Sequence, residues 1–426
     1  MATISESRLS PRHISTRHTI ALVMAGGRGR RLMELTDYYS KPGLDFGGKY
    51  RIIDFTLSNC VNSGFRRIMV LTQYNSHKLL EHLQFGWTFL PDRLNEYVHV
   101  LPAQQSFDKN AWYSGTADAV YQNLENIQSA NPENILILAG DHIYRMDYRL
   151  FLQDHIDHQA DMSIACLEVP REGAREFGIA HVDDEDRIVS FVEKPEDPPA
   201  IPGKPDRAFA SMGIYLFKAE SLYKALIRDA DDPNSGHDFG KDVIPKLVQE
   251  SRVFAHRFEN SCIPNAGHPD PYWRDVGTVD SYWEANMDLT SVLPALNLYD
   301  QNWPITTHQL QLPPAKFVHA GEMRNGVALS SLVSGACVIS GAHVHHSLLS
   351  SRVFVHSHAR LDGVMVLPDC DIGRHARLRR CILARDCHIP EGLIVGEDPE
   401  EDARRFRRTA GGITLITQRM LNQLEP

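Results

Sequence analysis

Over its first two thirds the chain alternates short, nearly pure apolar runs with stretches in which apolar residues recur at helical spacing. Thr19 to Ala25 is such a run and ends in glycines, which predicts a buried strand feeding a loop. Spacing after Asp54, through Leu57 to Asn62, predicts a helix that stops at Gly64. Arg67 to Leu71 predicts the next strand. Thr116 to Ser129, with Ala119, Leu124 and Ile127, predicts a further helix, and Asn134 to Ala139 another buried strand. Runs at 162–169, 188–192 and 212–217 extend the sheet. This alternation implies a mostly parallel sheet covered by helices. Ligands of such sheets bind at the carboxyl ends of the strands. The loops after Ala25 and Ala139 are therefore where chemistry is expected.

From Asn297 to Pro314 the pattern dissolves into proline and polar residues, which suits a linker. Beyond it apolar residues recur every six positions: Val333 and Ile339; Val355, Leu361 and Leu367; Ile372 and Leu378; Leu383, Ile389 and Val395. A six-residue period gives three short strands per coil, each coil burying a stacked apolar ladder. That predicts a left-handed parallel β-helix. Steps of five, from Leu367 to Ile372 and from Leu378 to Leu383, interrupt the period, and an ordinary β domain stays open as the alternative. A solenoid of this kind has open ends and flat faces, which favours packing against another copy.

The 426 residues exceed one small domain, and 42% hydrophobic with 23% charged residues excludes a mainly disordered chain. No apolar run approaches the roughly 18 residues that span a bilayer. Residues 1–18 carry charge without an apolar core and do not resemble a secretory signal. The 54 acidic and 44 basic side chains leave a net charge of −10, which disfavours bulk attraction to nucleic acid. A phosphate-bearing ligand needs only a local cluster of Arg and Lys. The seven cysteines are scattered and form no C-x-x-C pair, so reduced, buried thiols in a cytoplasmic protein are expected.

Ala25-Gly26-Gly27-Arg28-Gly29-Arg30-Arg31-Leu32 follows the first strand, with Lys41-Pro42 shortly after. Gly26, Gly27 and Gly29 let the backbone approach a phosphate, while Arg31 and Lys41 bring charge. The loop is neither a Walker A nor a G-x-G-x-x-G motif, and a plain turn carries the same glycines. Asp141, in Ala139-Gly140-Asp141-His142, ends another strand and would face the same cleft. Beside a polyphosphate it requires a divalent cation, with Mg²⁺ the usual choice; a helix N-cap is the alternative. Asp275, in Trp273-Arg274-Asp275-Val276-Gly277, is a candidate co-ligand. Glu193-Lys194-Pro195 closes a third strand: Lys194 suits a single phosphate and Glu193 a sugar hydroxyl, although a solvated surface pair reads the same way. His343, His345 and His346 fall on a solvated face of the repeat rather than a metal site.

The motifs together resemble those of the bacterial glucose-1-phosphate adenylyltransferases. They comprise the glycine loop, Phe46-Gly47-Gly48-Lys49-Tyr50-Arg51-Ile52-Ile53-Asp54-Phe55, Trp112-Tyr113-Ser114-Gly115-Thr116-Ala117-Asp118-Ala119, Ala139 to Tyr144, Val192 to Pro195, Ala210-Ser211-Met212-Gly213 and Tyr272 to Gly277, in family order from about residue 18 onward. The resemblance implies an α/β, Rossmann-like nucleotidyltransferase domain with a mostly parallel mixed sheet over 19–290. A linker (291–318) and a left-handed β-helix with tail (319–426) follow, and 1–18 is an N-terminal extension. It implies transfer of the adenylyl group of ATP to α-D-glucose 1-phosphate, with Mg²⁺ held by Asp141 and Asp275, in a homotetramer regulated by small metabolites. Arg31, Lys41 and Asp141 would be catalytic, and Gln73 and Trp112 would join the glycines on the nucleotide side. Tyr113, Gly178, Glu193, Lys194, Ser211, Tyr215, Asp238 and Trp273 would bind glucose 1-phosphate.

The effector positions depart from the enteric pattern. Tyr38 and Tyr39 replace a Lys-Arg pair, Asp45 a His, and Gln418 and Asn422 two Arg, while Arg51 and Arg385 remain and Arg419 is a further basic contact. Fructose 1,6-bisphosphate is therefore expected to activate weakly, and a less charged metabolite such as fructose 6-phosphate or pyruvate better. Two other functions compete: a non-catalytic regulatory subunit of the same fold, disfavoured by the joint presence of Arg31, Lys41, Asp141, Lys194 and Asp275, and a uridylyltransferase carrying an acyltransferase β-helix, for which the C-terminal domain is short.

Overall fold

The computed structural model describes residues 15–27, 29–103, 112–265, 268, 270–321 and 324–424. Most of the expected N-terminal extension (1–14) and Arg28 of the glycine loop lie outside the described residues. In the first part, the strands β1 (Thr19–Ala25), β2 (Arg67–Thr72), β3 (Tyr97–Pro102) and β4 (Asn134–Ala139) are joined in the order β3-β2-β1-β4, every pair parallel. The sheet is mixed: four further strands, β6 (Met162–Pro170), β7 (Gly178–Val182), β8 (Ile188–Glu193) and β9 (Arg207–Lys218), extend it through antiparallel pairs of β9 with β4, β6 and β7. A short strand, β5 (His142–Tyr144), lies outside this sheet.

The apolar runs of the parallel strands are continuous because both faces are covered. Ile20, Leu22, Ile135 and Ile137 pack on one side with Leu222 and Leu226. Ala21, Val23, Leu136 and Leu138 pack on the other with Ile53 and Leu57 of the helix α1 (Ile52–Asn62). The stretch expected as one helix over 116–129 is two, Thr116–Tyr121 and Leu124–Ser129. Asn123 breaks it: its side-chain amide donates to the Ala119 carbonyl at 2.8 Å and to the Tyr113 hydroxyl at 3.0 Å, competing with the helical ladder.

The C-terminal part is a parallel β-helix whose coil is seventeen residues long in its regular stretch, Arg360 pairing with Arg377 and Arg377 with Ile394. Three buried ladders fill it: Ile339-Val355-Ile372-Ile389, Val344-Leu361-Leu378-Val395 and Val333-Leu349-Val366-Leu383-Ile416. The five-residue step falls between the second and third ladders, as from Leu361 to Val366. Leu367 is thus not a rung; it belongs to the cluster between the two parts of the molecule. Each corner is turned by a residue with positive φ, for example Arg352, Asp369 and Asp386 stacked at one corner and Gly341, His358, His375 and Gly392 at another. His343 and His345 are exposed.

One outer face of the β-helix, carrying Leu348, Met365, Ile382 and Leu415, is buried against Leu44, Phe46, Tyr282 and Trp283, the last two on the helix α2 (Val279–Asp288). The intervening segment 297–314 has no regular structure but is fastened along α1: Trp303 donates to Asn59 at 2.9 Å and the Thr306 amide to Ser58 at 2.8 Å. Among the described residues no helix is long and apolar enough to cross a membrane. All seven cysteines are free thiols, six of them buried.

Candidate active site

The glycine loop leaves the carboxyl end of β1 next to the ends of β2 and β4. At Gly29 the backbone has φ +60°, and an added Cβ would crowd the Cβ of Lys41 at 3.2 Å, so the loop closes directly on the lysine stem. A side chain at Gly26 would meet Gln73, at the end of β2, at 3.2 Å, while Gly27 faces open space. Lys41 itself stands on a 3₁₀ turn, Lys41–Gly43, that buries it.

Its ammonium is 2.6 Å from Asp275 Oδ1 and 3.0 Å from Asp141 Oδ2. Asp141 precedes β5, and β5 pairs antiparallel with a second three-residue strand, β11 (Trp273–Asp275), after β10 (Val253–Arg257) has joined β6; His142 faces Asp275 across that pair. Two carboxylates distant in sequence are thereby brought to one cation. Burial pushes the Asp141 carboxyl up, but Lys41, with His142 adding to it, overrides this and holds it down at about 2. Burial likewise opposes the charge on Lys41, and the two aspartates more than restore it. Arg31 reaches in from the exposed side, 3.6 Å from Asp275 and 3.7 Å from Glu176. Gly277 is required here, since a Cβ would lie 2.9 Å from the Asp275 carboxylate and 3.1 Å from the Arg31 guanidinium.

The expected sugar-side residues gather beyond this pair. Gly178 and Glu193 are register partners of β7 and β8, and the Glu193 carboxylate lies against Gly178 and Gly240, where added Cβ atoms would be 2.7 and 2.6 Å from it. Burial and then Asp238 push the Glu193 carboxyl above its ordinary value. Asp238 caps the following helical turn through the amides of Gly240 and Lys241 and accepts from Thr116 Oγ1 at 3.1 Å. A bulge in β9 at Gly213, φ +67°, separates Ser211 from Tyr215, whose hydroxyl neighbours both Ser211 and Glu193. Trp273 is buried edge-on to His142 at 4.9 Å and to Phe177 at 5.7 Å. Lys194 is exposed, with φ +49° and its amide bonded to the Phe177 carbonyl. On the other side Gln73 donates to the Tyr113 carbonyl at 3.3 Å, and Trp112 is exposed.

Residues 20–292 match the family described as "Nucleotidyl transferase", and residues 313–416 match "GlmU-like, C-terminal hexapeptide". Among curated proteins the chain is 57% identical over 408 residues to the glucose-1-phosphate adenylyltransferase of Dechloromonas aromatica, covering 96% of this chain and 92% of the relative. It is 55% identical over 408 residues to that of Paramagnetospirillum magneticum, covering 96% and 95%, and 57% identical over 417 residues to that of Nitrosomonas europaea, covering 97% and 96%. The chain belongs to the glucose-1-phosphate adenylyltransferase family. As a member of that family it is a nucleotidyltransferase.

Of the three arginines expected at an effector site in this adenylyltransferase, Arg51 and Arg385 meet at one carboxylate. Asp45, buried at the junction, is 3.0 Å from Arg51 and 2.7 Å from Arg385, which also lies over the Tyr39 ring. Arg419, 3.9 Å from Asp37, lines a cavity that also contains Arg385 and Asp45. Gln418 is engaged with the His388 amide and with Asn422. Sequence reasoning passed over Glu176 and Thr116. No sequence signal marks Thr116; its place is set by the contact of two loops, where a Cβ at Gly115 would overlap the His237 carbonyl.

Proposed function

We propose that the chain transfers the adenylyl group of ATP to α-D-glucose 1-phosphate, giving ADP-glucose and pyrophosphate for α-glucan (glycogen) synthesis. The observation that carries this reading is the convergence of Asp141 and Asp275 on one buried ammonium at the mouth of the glycine loop, in a chain aligned over nearly its whole length with adenylyltransferases. Two carboxylate oxygens around a single positive charge also suit Mg²⁺, which takes one or two carboxylates and completes its shell from substrate phosphates and water. Among the described residues no group of three or more His, Cys, Asp or Glu offers an alternative all-protein cage. Asp141 and Asp275 would hold the cation, which supplies charge to offset the phosphate oxygens.

Glucose 1-phosphate is already an anionic nucleophile, so no side chain has to remove a proton. The residues align its phosphate oxygen for in-line attack on the α-phosphorus of ATP, forming that P–O bond as the bond to the β-phosphate oxygen breaks. Arg31 and Lys41 take up the charge of the departing pyrophosphate. The amides of Gly26, Gly27 and Gly29, with Gln73 and Trp112, receive the nucleotide. Lys194 holds the sugar's phosphate, Glu193 and Asp238 accept from its hydroxyls, and Tyr113, Gly178, Ser211, Tyr215 and Trp273 shape the pocket.

The division into a catalytic unit (19–290), a connecting segment (291–318) and a regulatory β-helix (319–426) follows from the same reading, as do a cytoplasmic homotetramer and control by metabolites near Arg51, Arg385 and Arg419. Purified protein with ATP, glucose 1-phosphate and Mg²⁺ should release pyrophosphate and form ADP-glucose, followed by anion-exchange chromatography. A preference for UTP, or for another sugar phosphate, would overturn the assignment.

A further inference from the structure

The two carboxylates assigned to the cation already have an occupant. Lys41 Nζ contacts an oxygen of each, at 2.6 and 3.0 Å, and its side chain is 7% exposed. Gly29 packs on the lysine stem and Pro42 fixes the turn that carries it, so the ammonium is held in place rather than swinging in solvent. An ammonium against those oxygens weakens them for a divalent cation: with both on one oxygen, about 4 Å apart, their repulsion offsets roughly half of the cation's attraction to that carboxylate. Displacing the lysine without giving it new acceptors would strand a buried charge, an expensive outcome. A triphosphate supplies those acceptors, and Arg31 stands 3.6 Å from the other oxygen of Asp275.

We propose that Lys41 guards the carboxylate pair against bare divalent cations and yields it only when a nucleotide triphosphate offers the ammonium oxygens in exchange. Cation and nucleotide affinity are then coupled through one side chain, each raising the other by the same factor. This rests on Asp141 and Asp275 being the cation ligands. It adds that the ammonium weakens metal binding until a nucleotide draws it away.

The test is Mn²⁺ binding to the full-length protein without nucleotide, read from the electron paramagnetic resonance signal of free Mn²⁺. Lys41→Gln, which removes the charge but keeps an N–H donor toward the aspartates, should bind one Mn²⁺ at least tenfold more tightly than wild type. Adding Asp141→Asn should abolish that gain. Equal Mn²⁺ affinity of wild type and Lys41→Gln, or a gain that survives Asp141→Asn, would overturn the proposal. Wild type alone gives an independent check if Lys41→Gln does not fold: Mn²⁺ should raise its Tm only in the presence of a non-hydrolysable ATP analogue, and a rise with Mn²⁺ alone counts against the guard. Failure of the underlying assignment has its own signature. With the analogue present, Asp141→Asn would bind Mn²⁺ as tightly as wild type does.

Discussion

At the scale of single residues, the site works by setting charges where burial alone would remove them. Asp141 is ionised because Lys41 outweighs the cost of its burial, and its carboxyl stays near 2, far below any working pH. Asp141→Asn should therefore lower kcat by two or more orders of magnitude at every pH from 6 to 9, with the fold intact by circular dichroism. Near-normal turnover would remove Asp141 from the mechanism. Glu193 is the opposite case. Burial, then Asp238, raises its carboxyl, so the folded chain keeps a proton there at pH values where the unfolded chain has lost it. The sign follows: Glu193 costs stability above the ordinary carboxylate range and nothing well below it. Glu193→Gln should raise Tm at pH 8, with the gap closing by about pH 4. The same change should raise KM for glucose 1-phosphate about tenfold, because a charged acceptor for sugar hydroxyls is lost. Calorimetry across pH beside initial rates separates the two effects; a lower Tm at pH 8 would show that Glu193 is instead paired.

Among the elements, two short strands and one loop contact decide the geometry. Gly115 touches the His237 carbonyl so closely that no side chain fits, and Thr116 then ties Asp238 to the segment carrying Trp112 and Tyr113. Gly115→Ala should separate the nucleotide and sugar sides together, lowering kcat/KM for both substrates by about 100-fold, the scale of a displacement near 1 Å. An effect on one substrate alone would mean that the loops are independent. What could be read from sequence divides along the same line. The long strands and the position of Asp141 at a strand end were legible, because a continuous apolar run followed by Gly-Asp has few other meanings. The meeting of Asp141 with Asp275 was legible only through the family resemblance and not from the residues themselves, because it depends on β5 and β11, each three residues long and without a periodic pattern. The β-helix was legible in its period and in the five-residue step from Leu378 to Leu383, but the other step was misplaced, since it falls between Leu361 and Val366 and not between Leu367 and Ile372. Val366 and Leu367 are both apolar and both buried, one facing inward and one facing the catalytic part. Alternation marks an inner face only where the outer face meets water.

Across the whole molecule, Asp45 joins the two parts by engaging Arg51 on one side and Arg385 on the other. Asp369 also lies 3.8 Å from Arg385, so the two guanidinium groups already face two carboxylates and have little charge left for an incoming anion. Micromolar fructose 1,6-bisphosphate should therefore activate weakly, with fructose 6-phosphate or pyruvate more effective. Asp45→Asn should shift the bisphosphate response to roughly tenfold lower concentration. Initial rates at subsaturating ATP decide this, and strong activation of wild type by the bisphosphate would show that Asp45 gives way. The apolar face shared by Leu348, Met365, Ile382, Leu415, Tyr282 and Trp283 reaches further. Two segments that match separate families meet there on an apolar face bordered by polar contacts, among them Asp45 with Arg385, Trp283 with the Gly363 carbonyl and Thr409 with Asp280, so they are separate parts in sequence and a single solid in substance. Recombination that swaps the β-helix for another hexapeptide domain inherits a mismatched joint unless both sides travel together. Point changes beside that face, such as at Asp45, leave the joint itself intact.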